Sequence, residues 1–191
     1  MKVSFKLSAI ALVVGLFSAC INDDDGTAVP EPIPVQRGNI EANRFIISFT
    51  PKSGGGATQD FEFYDLDGIG GNAPLKSDKW LLNSGFSGGI LNYDAYIRFY
   101  LDSLEVTDQI EAMGTNYIVC FREMNTANMA LNEYFNRDVN DKKLGTETSW
   151  RVIQKGTGSV KITLNYLSLS KEGLCDAGVR IFEARINYEN Q

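Results

Sequence analysis

The stretch Val160-Lys161-Ile162-Thr163-Leu164-Asn165-Tyr166 alternates apolar and polar side chains without a break. Successive side chains of an extended chain point to opposite faces, so a period of two marks a strand with one face buried and one wet. Phe182, Ala184, Ile186 and Tyr188 alternate in the same way with Glu183, Arg185, Asn187 and Glu189. Two half-buried strands of this length predict an antiparallel sheet with one solvated face, because parallel strands are covered on both faces and read as continuous apolar runs.

The same period extends toward the N-terminus. Phe45, Ile47 and Phe49 alternate with Arg44, Ile46, Ser48 and Thr50, and Phe61 and Phe63 alternate with Asp60, Glu62 and Tyr64. The glycine-rich run from Pro51 to Thr58 predicts a hairpin connection between them. Further strands are predicted at 78–83, at 87–92, at 94–101 with Ile97, Phe99 and Leu101 on one face, and at Trp150 to Gln154. The short apolar run Tyr117-Ile-Val-Cys-Phe121 reads as a central strand. One helix is predicted, Ser103 to Met113, with Leu104, Ile110 and Met113 on a shared face and Gly114 as its stop. Seven to nine short strands with glycine-rich connections predict an all-β fold: an antiparallel β-sandwich, immunoglobulin-like or Greek-key, with at most one short helix.

The first 43 residues belong to a different regime. Lys2 and Lys6 precede an apolar run from Leu7 to Phe17, the layout of a secretory signal peptide. That run is shorter than the roughly 20 residues a membrane-spanning helix needs. It ends in Phe17-Ser18-Ala19-Cys20, which resembles the lipobox of bacterial lipoproteins. The resemblance implies cleavage before Cys20 and lipid chains, such as palmitate, on that residue. Residues 1–19 are therefore expected to be a signal peptide and Cys20 a lipid anchor. Asp23, Asp24 and Asp25 follow, and three adjacent carboxylates stay solvated because they repel one another and cannot enter a core. They resemble the acidic signal that sends Bacteroidota lipoproteins to the outer face of the outer membrane. Pro30, Pro32 and Pro34 then stiffen a polar stretch, so 20–43 is expected to be a tether and 44–191 the β-sandwich domain.

Composition narrows the functions. With 1–19 removed, 172 of the 191 residues remain, and the loss of Lys2 and Lys6 moves the formal charge from −6 to −8. So acidic a chain has no footprint for nucleic acid or for anionic lipid headgroups. The sequence contains no histidine, which excludes Ser-His-Asp and Cys-His nucleophile systems, His-based zinc sites and His-ligated haem. Once lipid takes Cys20, Cys120 and Cys175 remain, either as a disulfide in an oxidising compartment or as two buried thiols. A bridge closing a loop of some 55 residues would contribute roughly 4 kcal/mol in the chain-entropy model.

One loop carries candidate chemistry. Asp65-Leu-Asp67-Gly68-Ile-Gly-Gly-Asn72 sets two carboxylates two residues apart, followed by glycine carbonyls and a side-chain amide. A hard cation such as calcium needs several converging oxygens, and Asp65, Asp67 and Asn72 supply some of them. The loop lacks the terminal bidentate glutamate of an EF-hand, and the competing expectation is a turn in which the two aspartates cap backbone amides. No other cofactor is expected. Met113, Met124 and Met129 are irregularly spaced, as core methionines are. Tyr93, Tyr96, Tyr134 and Phe135 are candidates for a sugar-stacking platform, against the plainer expectation of half-buried sandwich aromatics.

The order of these features, Asp65 to Pro74, then Ile97 to Leu101, then Glu105-Val-Thr-Asp-Gln-Ile-Glu111, then Gly158 to Leu164 and the last strand, resembles a family of small Bacteroidota surface lipoproteins. Members often bear a periplasmic-binding-fold label and have no established activity. The label implies an α/β fold, whereas the alternation here predicts β. In that family histidines follow the acidic helix and recur in the penultimate strand, implying a metal; this chain has Asn116, Asn165 and Tyr166 there.

The expected function is a surface-exposed outer-membrane lipoprotein serving as a non-catalytic binding or accessory module. Its partners would be membrane lipid, through acylated Cys20, and an outer-membrane receptor of a TonB-dependent uptake system. The alternatives are an extracellular hydrolase and a purely structural or adhesive envelope component.

Overall fold

The computed structural model describes residues 40–52, 56–83, 90–167 and 175–191. The expected signal peptide, Cys20, Asp23 to Asp25, most of the expected tether and residues 87–89 of the strand expected at 87–92 lie outside the described residues, while Leu91 and Asn92 belong to the strand that runs on to Leu101.

The alternating stretches become strands whose apolar positions turn inward. In β1 (Arg44–Pro51) Phe45, Ile47 and Phe49 are buried, and in β2 (Gln59–Tyr64) Phe61 and Phe63. Two short strands follow, β3 (Lys76–Ser77) and β4 (Trp80–Leu82). β5 (Leu91–Leu101) buries Tyr93, Ala95, Ile97 and Phe99. The predicted helix is shorter than expected. Leu104 and Glu105 form β6 (Leu104–Glu105), a hairpin with the end of β5, so α1 spans only Thr107–Ala112. Leu104 is consequently exposed, while Ile110 enters the core.

The second half supplies β7 (Tyr117–Arg122), β8 (Met129–Tyr134), β9 (Glu147–Val152), β10 (Gly156–Tyr166) and β11 (Val179–Asn190). Two sheets result, ordered β3-β2-β1-β5-β9-β8, with β6 also on β5, and β4-β11-β10-β7. Neighbours pair antiparallel except β4, which runs parallel to β11. The fold is an all-β sandwich with one short helix.

Aromatic rings join the two sheets. Phe182 of β11 packs against Phe45, Phe63 and Phe99 with centroids 5.6–5.9 Å apart. A second group sets Phe49 on Trp80 at 4.9 Å, and Trp150 on Phe121 at 5.1 Å. Edge-to-face rings add about 0.5–1.5 kcal/mol per pair beyond the burial of their area. Ile40 and Ala42, counted with the tether from sequence, pack against this core, so the folded unit begins before Arg44.

Residues 117–121 are not a central strand, because β7 is the edge of its sheet. All five are buried for another reason. Tyr117, Val119 and Phe121 face the main core, while Ile118 and Cys120 face a second cluster with Leu167, Cys175 and Ala177. The Cys120–Cys175 disulfide, with Cα atoms 5.8 Å apart, fixes that cover in place. The open side of β7 is met by Leu144, whose carbonyl accepts from Val119 N at 2.7 Å.

Candidate functional site

β2 ends at Tyr64, and the chain returns in β3 with Lys76 opposite that same residue. The intervening Asp65-to-Leu75 loop is too glycine-rich to fold back as strand, and local hydrogen bonds hold it. Gly68 N donates to Asp65 Oδ1 at 3.2 Å, and Asp67 Oδ2 accepts from Asn72 N at 2.6 Å and from Asn72 Nδ2 at 2.9 Å. Gly68 and Gly70 have φ of 73° and 82°, a left-handed conformation that costs other residues about 1–2 kcal/mol. At Gly71 the demand is space, since a Cβ there would lie 2.5 Å from Asp67 Cγ.

Asp65, Asp67 and Asn72 are thus brought together, each carboxylate directed at a backbone amide, as the turn expectation has it. Among the described residues no three His, Cys, Asp or Glu side chains group as metal ligands. The two aspartates differ electrically. Burial, and then the hydrogen bond shared with Asp67, raises the Asp65 carboxyl above the ordinary range. The Asn72 amide, with that same shared bond, holds Asp67 below it.

The loop forms one wall of a shallow cleft of about 220 Å³. Gly68 to Asn72 and Pro74 face Glu183, Ala184 and Arg185 of β11 across it. β4 covers β11 only at Tyr188 to Asn190, so the cleft lies where β11 has no neighbour on that side among the described residues. Glu183 is held by Lys161 at 3.0 Å and by Arg180, and Arg185 by Glu123. The cleft therefore offers glycine backbone, apolar surface and a protonatable carboxyl, means of holding a small polar group or an extended segment. Sequence reasoning missed Glu183 and Arg185, because their alternation is that of any half-wet strand and nothing marks them as neighbours of residue 68.

The stacking candidates do not converge. Tyr93 is in the core and donates to Asn83 O at 3.0 Å, Tyr134 packs near Phe121, and Lys52 sits over Phe135. Tyr96 lies on the opposite face of β5 from Tyr93, its hydroxyl pushed up to about 12 by burial and by Glu111, Glu105, Asp108 and Glu147. Met129 is buried, and Met113 and Met124 pack on the core. No family model matches the chain, and no match to it is found among curated proteins or solved structures.

Proposed function

We propose that this chain is a lipoprotein anchored in the outer membrane through acylated Cys20 and displayed on the cell surface. It acts there as a non-catalytic binding or accessory module beside an outer-membrane receptor. The observation that carries the reading is Phe17-Ser18-Ala19-Cys20 followed at once by Asp23 to Asp25. Two features support it. The sequence has no histidine, which removes the commonest proton-transfer group. In the cleft beside the 65–74 loop, Glu183 and Arg185 are already engaged in ion pairs and Asp65 accepts from Gly68 N, an arrangement suited to holding a ligand. The likeness to small Bacteroidota surface lipoproteins points the same way. Calcium at Asp65, Asp67 and Asn72 would require Asp67 to exchange its two Asn72 hydrogen bonds for the ion.

The test is protease shaving of whole cells. Surface display predicts that the wild-type domain is digested and that Asp23→Ala/Asp24→Ala/Asp25→Ala protects it while leaving membrane association intact. Equal digestion of the two would reduce the acidic run to a plain tether.

A further inference from the structure

The exposed large apolar side chains are not spread evenly. Of the nine among the described residues, Leu66, Ile69, Leu75, Leu104 and Val179 all lie at one end of the sandwich, with exposures from 48% at Ile69 to 66% at Leu75. The strand registers place them there. Arg44 pairs with Tyr64 and with Tyr100, so the loop after Tyr64 and the β5–β6 turn leave the first sheet at the end where β1 begins. Phe182 packs on Phe45, which sets Val179, at the start of β11, at that end too. Leu81 and Ile90 belong to the opposite half, with Trp80 on Phe49 and Leu91 at the start of β5.

That end is also where the tether joins the domain. Asn43 O accepts from Asp65 N at 2.8 Å, Asn43 Nδ2 donates to Asp102 Oδ1 at 2.8 Å, and Ile40 N donates to the Tyr117 hydroxyl at 2.6 Å. The chain arriving from Cys20 is therefore bound to both apolar loops.

Resting on the anchored reading above, we infer that this end is a bilayer-contact surface: the five side chains enter the interface of the membrane that holds Cys20. An exposed apolar cluster of this kind marks a contact surface. A short tether keeps it at high effective concentration beside the lipid, so a contact too weak to hold a free protein is populated. The charges at that end are mixed, with Asp67, Asp102 and Glu105 beside Lys76 and Arg180, so the contact is carried by the apolar side chains rather than by attraction to anionic lipid.

The experiment uses the mature lipidated protein in phosphatidylcholine vesicles, with one tryptophan added as Leu75→Trp or Leu104→Trp. Native Trp80 and Trp150 are fully buried and give a background that acyl chains do not reach. The inference predicts that the added tryptophan shifts to the blue and loses emission to brominated acyl chains, at low and high salt alike, and that Leu81→Trp does neither. Unquenched Leu75→Trp and Leu104→Trp in protein that floats with the vesicles would overturn the contact and leave the anchor standing. Failure of the protein to float, with Cys20 unmodified, would remove the anchor and the contact together. Burial of both positions by a co-purifying membrane protein, without quenching, would reassign the surface to a protein partner and overturn the inference.

Discussion

The two long edges of the four-stranded sheet are finished in different ways. At β7 both faces are buried, a disulfide holds the outer cover, and Leu144 meets the open backbone. At β11 the upper half of the edge is left to a glycine loop held by its own two aspartates, with a cleft between. Edges invite pairing with other chains, and proteins blunt them by covering. The difference teaches that one edge is closed for stability, while the other keeps a concave surface where packing stops, the room that the proposed binding role needs.

Removing the covalent closure has the largest expected effect. Cys120→Ser/Cys175→Ser, or reduction of the wild type, costs about 4 kcal/mol for a bridge spanning 55 residues, read as a lower denaturant midpoint. A midpoint unchanged on reduction would show that the β7 edge closes without it. Next comes Gly145→Ala. Gly145 has φ of 95°, and a Cβ there would lie 2.5 Å from the Val119 carbonyl, so strain and overpacking combine to about 3 kcal/mol. The same change at Gly68 meets only the strain of φ 73°, with nothing within 4 Å, and costs about 1 kcal/mol. Equal losses at the two glycines, measured by urea unfolding, would erase the contrast between the edges.

Smaller still are the loop carboxylates, whose signs oppose. Asp67 has a lowered folded pKa, so its contribution is present above the ordinary aspartate value and is lost as pH falls through the folded one. Asp65 has a raised folded pKa, so its ionisation costs stability as pH rises past the ordinary value. At pH 7 Asp67→Asn is expected to lower Tm slightly, an effect that fades as the pH falls below the ordinary aspartate value, whereas Asp65→Asn holds or raises it. Opposite results from a pH series of melts would contradict the assigned roles. The smallest expected effect is none: calcium titrated to several millimolar leaves Tm unchanged if the aspartates serve only backbone amides. A rise of several degrees, abolished by Asp65→Asn/Asp67→Asn, would return a cation to the loop.

The sandwich was legible because Phe45 to Phe49 and the 182–188 stretch obey period two over whole strands. The 160–166 stretch alternates in sequence, but Thr163 and Asn165 are buried as well, with Asn165 Nδ2 donating to Cys175 O at 3.0 Å, so its expected wet face is covered there. β8 was not, because its pairing with β9 slips between Leu131 and Glu133 and its burial does not alternate. Residues 117–121 looked central because a run buried on both faces reads the same whether another strand or a disulfide-held segment covers it. In the candidate site the loop announced itself through Asp65, Asp67 and its glycines. Its opposite wall, Glu183 to Arg185, lies more than a hundred residues away, and the packing of Phe182 against Phe45, Phe63 and Phe99 brings it there.

Everything proposed about where this protein works starts from Cys20, and the most direct measurement is the intact mass of the mature chain extracted from membranes with detergent. The account predicts a polypeptide beginning at Cys20, with residues 1–19 absent and its mass increased by a diacylglyceryl group and an amide-linked fatty acid. A mature chain that begins elsewhere, or that carries an unmodified Cys20, would contradict it.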